Sequence, residues 1–193
     1  MPKDTLPMIT SSYKPAAGRF LVSEPFMEDQ NFQRTVVLLV EHNQEGSLGF
    51  VLNRRLQVRV GDVVPDLQAL DAPVFLGGPV EQTTLHYLHR IADLPGARPV
   101  GEGVYWSGSF EALQSLAQQG AIDPADIRFF VGYSGWGGGQ LDGELVRKAW
   151  IVTPAHGGLV FQDDQEDLWR QALQSLGGKY NIIANYPVDP KLN

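Results

Sequence analysis

The 193-residue sequence predicts an α+β fold: one compact domain built on a curved, mixed or mostly antiparallel sheet with helices packed outside it. Three observations carry this expectation. Strand-type segments cluster early and helix-type segments late, where a doubly wound parallel sheet would alternate them. The strands stand a short turn apart, which is hairpin spacing. No repeat, low-complexity tract or long linker divides the chain, and its length suffices for one core. Residues 1–17 read as a polar amino-terminal tail and 18–193 as the single domain.

The elements follow in order. Gly18 to Ser23 is a short strand stopped by Pro25, and Met27 to Arg34 is a loop with room for one helical turn. Thr35 to His42 is rich in Val and Leu without alternation, the pattern of a central strand covered on both faces. Asn43 to Gly46 has turn chemistry, and Leu48 to Asn53 returns as the antiparallel partner. Val58 to Val64 reads as a short helix ended by Pro65. Val74 to Leu76, Thr83 to His89 and Val104 to Trp106 are strands. Ser107 or Ser109 caps a helix over Phe110 to Gln119, with Leu113, Leu116 and Ala117 on one face and Gly120 at its end. Ile127 to Tyr133 is a buried-type strand emptying into the loop SGWGGG. Gln140 to Lys148 has helical spacing through Leu141, Leu145 and Lys148, and Ala149 to Val152 is a strand. Leu159 to Phe161 closes another structured segment. Asp163 to Leu176 is a helix with an acidic capping box of Asp163 and Glu166, a stripe of Leu168, Ala172 and Leu176, and a stop at Gly177. Tyr180 to Asn193 reads as an extended tail.

Composition narrows the chemistry. Hydrophobic residues make up 43% and charged residues 19%, the balance of an ordered globule. The absence of cysteine excludes disulfides, thiolate nucleophiles and thiolate metal sites. The longest aliphatic run, Val36 to Val40, is far too short to span a membrane, and Met1 to Lys14 lacks the apolar core of an export signal, so a cytoplasmic protein is expected. A net charge of -7 repels phosphate backbones. Direct nucleic-acid binding would require Arg54, Arg55 and Arg59 to join a continuous basic stripe.

The most unusual stretch is GYSGWGGGQLDGEL, Gly132 to Leu145. Its glycines allow close backbone approach, and the helix that follows offers unpaired N–H groups, so it suits a ligand loop or an anion cradle. It equally suits a tight strand-to-helix turn that makes room for Trp136. It is neither a Walker loop nor a GxGxxG motif. Gln140 and Glu144 lie one helical turn apart. Glu144 is the one candidate general base, with a solvated or Lys148-paired carboxylate as the alternative. Gly77, Gly78 and Pro79 follow a strand directly, and Asn53 and Arg54 end another, where Arg54 could grip a carboxylate or phosphate. His86 and His89 sit at an odd offset on one strand and point to opposite faces, so they do not chelate one ion. No metal or cofactor is expected. Ser134, with His86 or His156 and Glu144, could be drawn as a triad, but no GxSxG elbow presents the serine.

FLVSEP at Phe20 to Pro25, TVVLLVEH at Thr35 to His42, GSLGFVLNR at Gly46 to Arg54, FLGGPV at Phe75 to Val80, GYSGWGGGQLDGEL with Trp150, and PVDPKLN at Pro187 to Asn193 together resemble the YqgE/AlgH family of bacterial proteins. The resemblance runs from Gly18 onward. It implies a compact α/β domain with a strongly curved sheet and supplies no catalytic residues. The family is associated with control of alginate production and carries the label of transcriptional regulator, without a recognised DNA-binding motif. It also groups Asn53, Gly77, Gly78, Pro79, Gly132, Gly135, Trp136, Gln140 and Glu144 as motif positions, which points to one shared surface. The first expectation is therefore a non-enzymatic regulatory module that binds a protein partner or small ligand there. The second is an enzyme or binding protein for a small anionic metabolite, with Glu144 as base.

Overall fold

Five consecutive aliphatic residues, Val36 to Val40, have no solvent side to face, and all five are buried. They open β2 (Val36–Asn43). In the computed structural model, which describes residues 13–162, 165 and 167–187, β2 lies inside the sheet. It pairs antiparallel with β1 (Arg19–Ser23) on one side and with β3 (Gly46–Val51) on the other. The turn chemistry of Asn43 is realised by its Oδ1, which accepts from the amides of Glu45 and Gly46.

The remaining strands are β4 (Arg55–Arg59), β5 (Pro73–Leu76), β6 (Val80–His89), β7 (Arg98–Gly101), β8 (Val104–Trp106), β9 (Ile127–Gly137) and β10 (Trp150–Pro154). The sheet order is β10-β1-β2-β3-β9-β6-β8-β7, with β5 pairing β9 in parallel and β4 pairing β5. Every other pairing among the described residues is antiparallel. The sheet curls until its far strand returns to its start: a Cβ on Gly18 would meet the carbonyl of Val100 on β7, and Arg98 pairs with Glu41 at 2.6 Å. The α+β expectation holds in these terms, with short helices α1 (Val60–Val63), α2 (Phe110–Gln118), α3 (Gln140–Val146), α4 (Gly157–Val160), α5 (Leu168–Gln174) and α6 (Lys179–Ala184) against the sheet.

The cap of α2 is Ser109, whose Oγ accepts from the Ala112 amide at 3.2 Å. The helix read over Asp163 to Leu176 is realised among the described residues as α5, Leu168–Gln174, and four further segments differ from the sequence reading. Residues 55–59 form a strand before the single turn of α1, because Arg55, Gln57 and Arg59 alternate on an exposed edge. Pro99 hid β7, an edge position where a missing N–H is tolerated. β9 does not stop at Tyr133 but continues to Gly137, since Ser134 to Gly137 pair with Gly49 to Gly46. Residues 179–184 are helical instead of extended, and they bury Ile183 and Ala184 against α5. The Asp163–Glu166 capping box and nearly all of PVDPKLN lie outside the described residues.

Candidate functional site

The glycine-rich stretch resolves into a strand, a turn and a helix tied together by one carboxylate. Trp136, near the end of β9, and Trp150, opening β10, are 5% and 3% exposed. An indole N–H buried without an acceptor is costly. Both are satisfied by Oε2 of Glu144 on α3, at 2.9 Å from Trp136 Nε1 and 2.7 Å from Trp150 Nε1. The other oxygen, Oε1, accepts from Gln140 Nε2 at 3.1 Å, and Gln140 Oε1 in turn accepts from the Gly137 amide at 3.1 Å. Phe32 closes the cluster, stacked on Trp136 and edge-on to Trp150. Three N–H donors thus engage the Glu144 carboxylate, the signature of a structural clamp. A general base needs an oxygen turned toward substrate.

Gly77, Gly78, Pro79 and Gly132 mark a crossing of two backbones. Gly78 has φ +156° and Gly132 φ +69°, conformations that side chains rarely adopt. A Cβ on Gly78 would enter the carbonyl of Tyr133 and the amide of Ser134, and one on Gly132 would press on the carbonyls of Gly78 and Val80. Ser134 is fully buried and its Oγ donates to the Gly77 carbonyl at 3.0 Å, so its hydroxyl is committed to the crossing.

Beside this crossing a groove of about 470 Å³ runs between the ends of β2, β3 and β9. Trp136, Gly135, Gly137, Tyr133 and Val80 line it, with Glu41 and Glu45 at its border. Glu41 is paired with Arg98, and Glu45 is exposed. The local charge opposes an anion cradle.

Asn53 and Arg54 stand elsewhere. Asn53 replaces the sheet ladder where β2 and β3 diverge: its Oδ1 accepts from the Val36 amide at 3.1 Å and its Nδ2 donates to the Arg34 carbonyl at 2.9 Å. Arg54 lines two clefts, one of about 100 Å³ with Gly78 and Pro79, and one of about 270 Å³ with Asn53, Arg34, Asp167, Trp169 and Arg170. The nine motif positions therefore distribute over a clamp, a backbone crossing, a groove and a cleft, with Arg54 joining the last to the crossing. Arg34 and Arg170 were not among the candidate residues of the sequence reading. For Arg34 the signal existed: the register that pairs Val37 with Val51 places Arg34 opposite Arg54 when extended outward. Arg170 arrives on α5 through tertiary packing, which no local pattern announces. Arg55 is exposed on β4, whereas Arg59 pairs with Asp71 at 3.2 Å, so the three arginines of residues 54–59 do not form one stripe.

The two strand histidines are packing groups. His89 is fully buried: Nε2 donates to the Ser107 carbonyl at 2.7 Å and Nδ1 accepts from the Ile91 amide at 3.1 Å, which defines the neutral tautomer. Burial holds its pKa below the ordinary histidine value against those two backbone hydrogen bonds, which pull it up. His86 lies against Phe50 and Tyr133 with a buried Nε2, and burial lowers its pKa more than Glu81 raises it. Among the described residues no group of three or more histidine, aspartate or glutamate side chains is placed to hold a metal, and no helix is long and apolar enough to cross a membrane.

Comparison with known proteins places this geometry. An AlgH-like family model matches residues 20–181. A UPF0301 protein of Bacteroides thetaiotaomicron is 38% identical over 98% of this chain and 97% of its own length. A UPF0301 protein of Chlorobium luteolum is 41% identical over 92% of this chain and 95% of its own. A crystal structure of a Corynebacterium diphtheriae protein shares the fold, with a TM-score of 0.78 at 23% identity over 90% of this chain and 94% of that one. The solution structure of AlgH from Pseudomonas aeruginosa has a TM-score of 0.71 at 30% identity over 93% of this chain and 98% of that one. Matched from β1 into α6, and along nearly its whole length by relatives at 38% and 41% identity, the chain belongs to the AlgH-like family, UPF0301.

Proposed function

We propose that the chain is a non-enzymatic binding module whose docking face is the groove beside Trp136, and that its occupant is an extended segment of a protein partner carrying Lys or Arg. The carrying observation is the groove itself: a backbone-rich lip of Gly135 and Gly137 beside the half-buried Tyr133, on the strand whose buried Trp136 is held by the Glu144 clamp. A strand anchored in this way reduces the ordering cost of binding, and a glycine lip lets another backbone approach closely. Exposed Glu45 at the border favours a cationic segment. The engaged state of Glu144 supports binding over acid–base chemistry. The regulatory role extends the family resemblance to this surface.

Gly137 supplies the test, because it lines the groove and a Cβ there meets no atom within 4 Å, so a larger side chain starts into open space. A random peptide library selected on the wild type and counter-selected on Gly137→Trp should enrich extended Lys- or Arg-bearing sequences, and Glu45→Lys should weaken them. Equal capture by wild type and Gly137→Trp would remove the reading.

A further inference from the structure

The 270 Å³ cleft between the start of β2, the end of β3 and α5 has a composition that folding alone does not explain. Three guanidinium groups line it, from Arg34, Arg54 and Arg170, against the single carboxylate of Asp167. Among the described residues of the cleft, positive charges exceed negative by two, on a protein whose net charge is -7. Like charges drawn together destabilise a fold unless something sits between them.

Each arginine is positioned by a few contacts and keeps donors in reserve. Arg34 lies over the Trp169 ring at 4.6 Å and gives one Nη2 hydrogen bond to the Tyr186 carbonyl, while its Nε is buried with no partner. Burial and the nearby Arg170 both lower its pKa, so the electrostatic strain is local to the cleft. Arg54 gives Nη2 to the Gln33 carbonyl, and Arg170 meets Asp167 through Nε at 3.5 Å. A guanidinium has five N–H donors. The anchoring bonds leave most of these fifteen or so unused. Asn53 is no competitor for a ligand, since both ends of its amide are held by backbone.

We propose that this cleft binds a dianionic phosphate group, either free phosphate or the terminal ester of a small metabolite. A single carboxylate is satisfied by one in-plane guanidinium fork, whereas three guanidinium groups supplied by a turn, a strand end and a helix suit a tetrahedral, doubly charged oxyanion. The volume is about nine times the ~30 Å³ share of a liquid water, enough for the phosphate and several further atoms. The site is separate from the groove beside Trp136, so either proposal can fail alone.

The experiment is calorimetric titration at fixed ionic strength with inorganic phosphate, glycerol phosphate and succinate as probes. Wild type, Arg54→Gln and Arg170→Gln are compared, with melting curves recorded in chloride alone. Arg170 is 48% exposed and loses only a surface ion pair, so its variant keeps the fold. Saturable phosphate or glycerol phosphate binding, weakened at least tenfold in both variants at a melting temperature no lower than that of the wild type, supports the assignment. The tighter of the two phosphate probes then separates a free-phosphate site from an ester site. No saturable phosphate uptake by the wild type, undiminished affinity in both variants, or succinate bound more tightly than either phosphate probe would overturn it.

Discussion

Replacing Glu144 tests whether the most distinctive stretch of the chain is a clamp. Glu144→Ala removes the acceptor of two indole N–H groups whose tryptophans are 5% and 3% exposed, and that of the Gln140 amide. Hydrogen bonds to a charged partner contribute about 1.5–3 kcal/mol each when buried. Glu144 is half-buried, so water entering its place recovers part of that for the indoles and nearly all of it for exposed Gln140. The expected loss is about 3 kcal/mol, a large share of the roughly 5–15 kcal/mol that holds a domain together. Glu144→Gln behaves differently. Both indoles share Oε2, so a carboxamide oxygen in that position still receives them. Its NH2 then faces Gln140 Nε2, which can flip to accept only by abandoning the Gly137 amide. One neutral hydrogen bond and the charge assistance are lost, about 1–2 kcal/mol. Urea unfolding followed by tryptophan fluorescence, with near-ultraviolet circular dichroism for the indole environment, measures both. An alanine variant within about 0.5 kcal/mol of wild type, or a glutamine variant as damaged as alanine, would refute the clamp.

Two further outcomes follow from the geometry. Gly78→Ala drives a methyl group into the Tyr133 backbone and should cost more than about 3 kcal/mol, while Gly137→Ala, facing open space, should change the urea midpoint little; similar midpoints for the two would contradict the backbone crossing. Because burial lowers the pKa of His86 and His89, the unfolded chain binds more protons than the folded one below the ordinary histidine pKa of about 6.5. Their contribution to stability is complete above that pH and is lost as pH falls below it toward the depressed folded values. The urea midpoint should therefore drop between pH 7.5 and 5.5, and His86→Phe should reduce the drop; a flat profile in the wild type would show that neither histidine is held neutral.

How much of this was legible in the sequence depends on whether a residue's neighbours in space are also its neighbours in the chain. Val36 to Val40 declared a buried central strand, because five consecutive aliphatic residues leave no face for solvent. The Asn43 turn, the Ser109 cap and the face of α2 are likewise local, and they appear where expected. Where the reading failed, a distant partner decided the outcome. Ser134 to Gly137 have loop composition, yet β3 supplies them a ladder, and residues 179–184 become helical because α5 offers a surface for Ile183 and Ala184.

The same distinction explains the site. Glu144 and Gln140 were identified as one helical turn apart, and that spacing is real, but the meaning of Glu144 lies in Trp136, eight residues back, and in Trp150, six residues on, meeting at one oxygen. The turn before β2 shows how close the two proposed regions come: Phe32 packs on the clamped tryptophans, while the Gln33 carbonyl and the Arg34 guanidinium belong to the arginine cleft. Consecutive residues thus serve the wall of one region and the floor of the other. Arg34 is joined to Phe32 through Gln33 alone, and the turn is anchored at Thr35, where the buried Ser23 Oγ accepts the Thr35 amide at 3.0 Å and Thr35 Oγ1 donates to the Phe32 carbonyl at 2.9 Å. Those two hydrogen bonds fix the turn to β1 and to itself, and the cleft and the groove share no lining residue, which is the physical reason to treat them as separate sites.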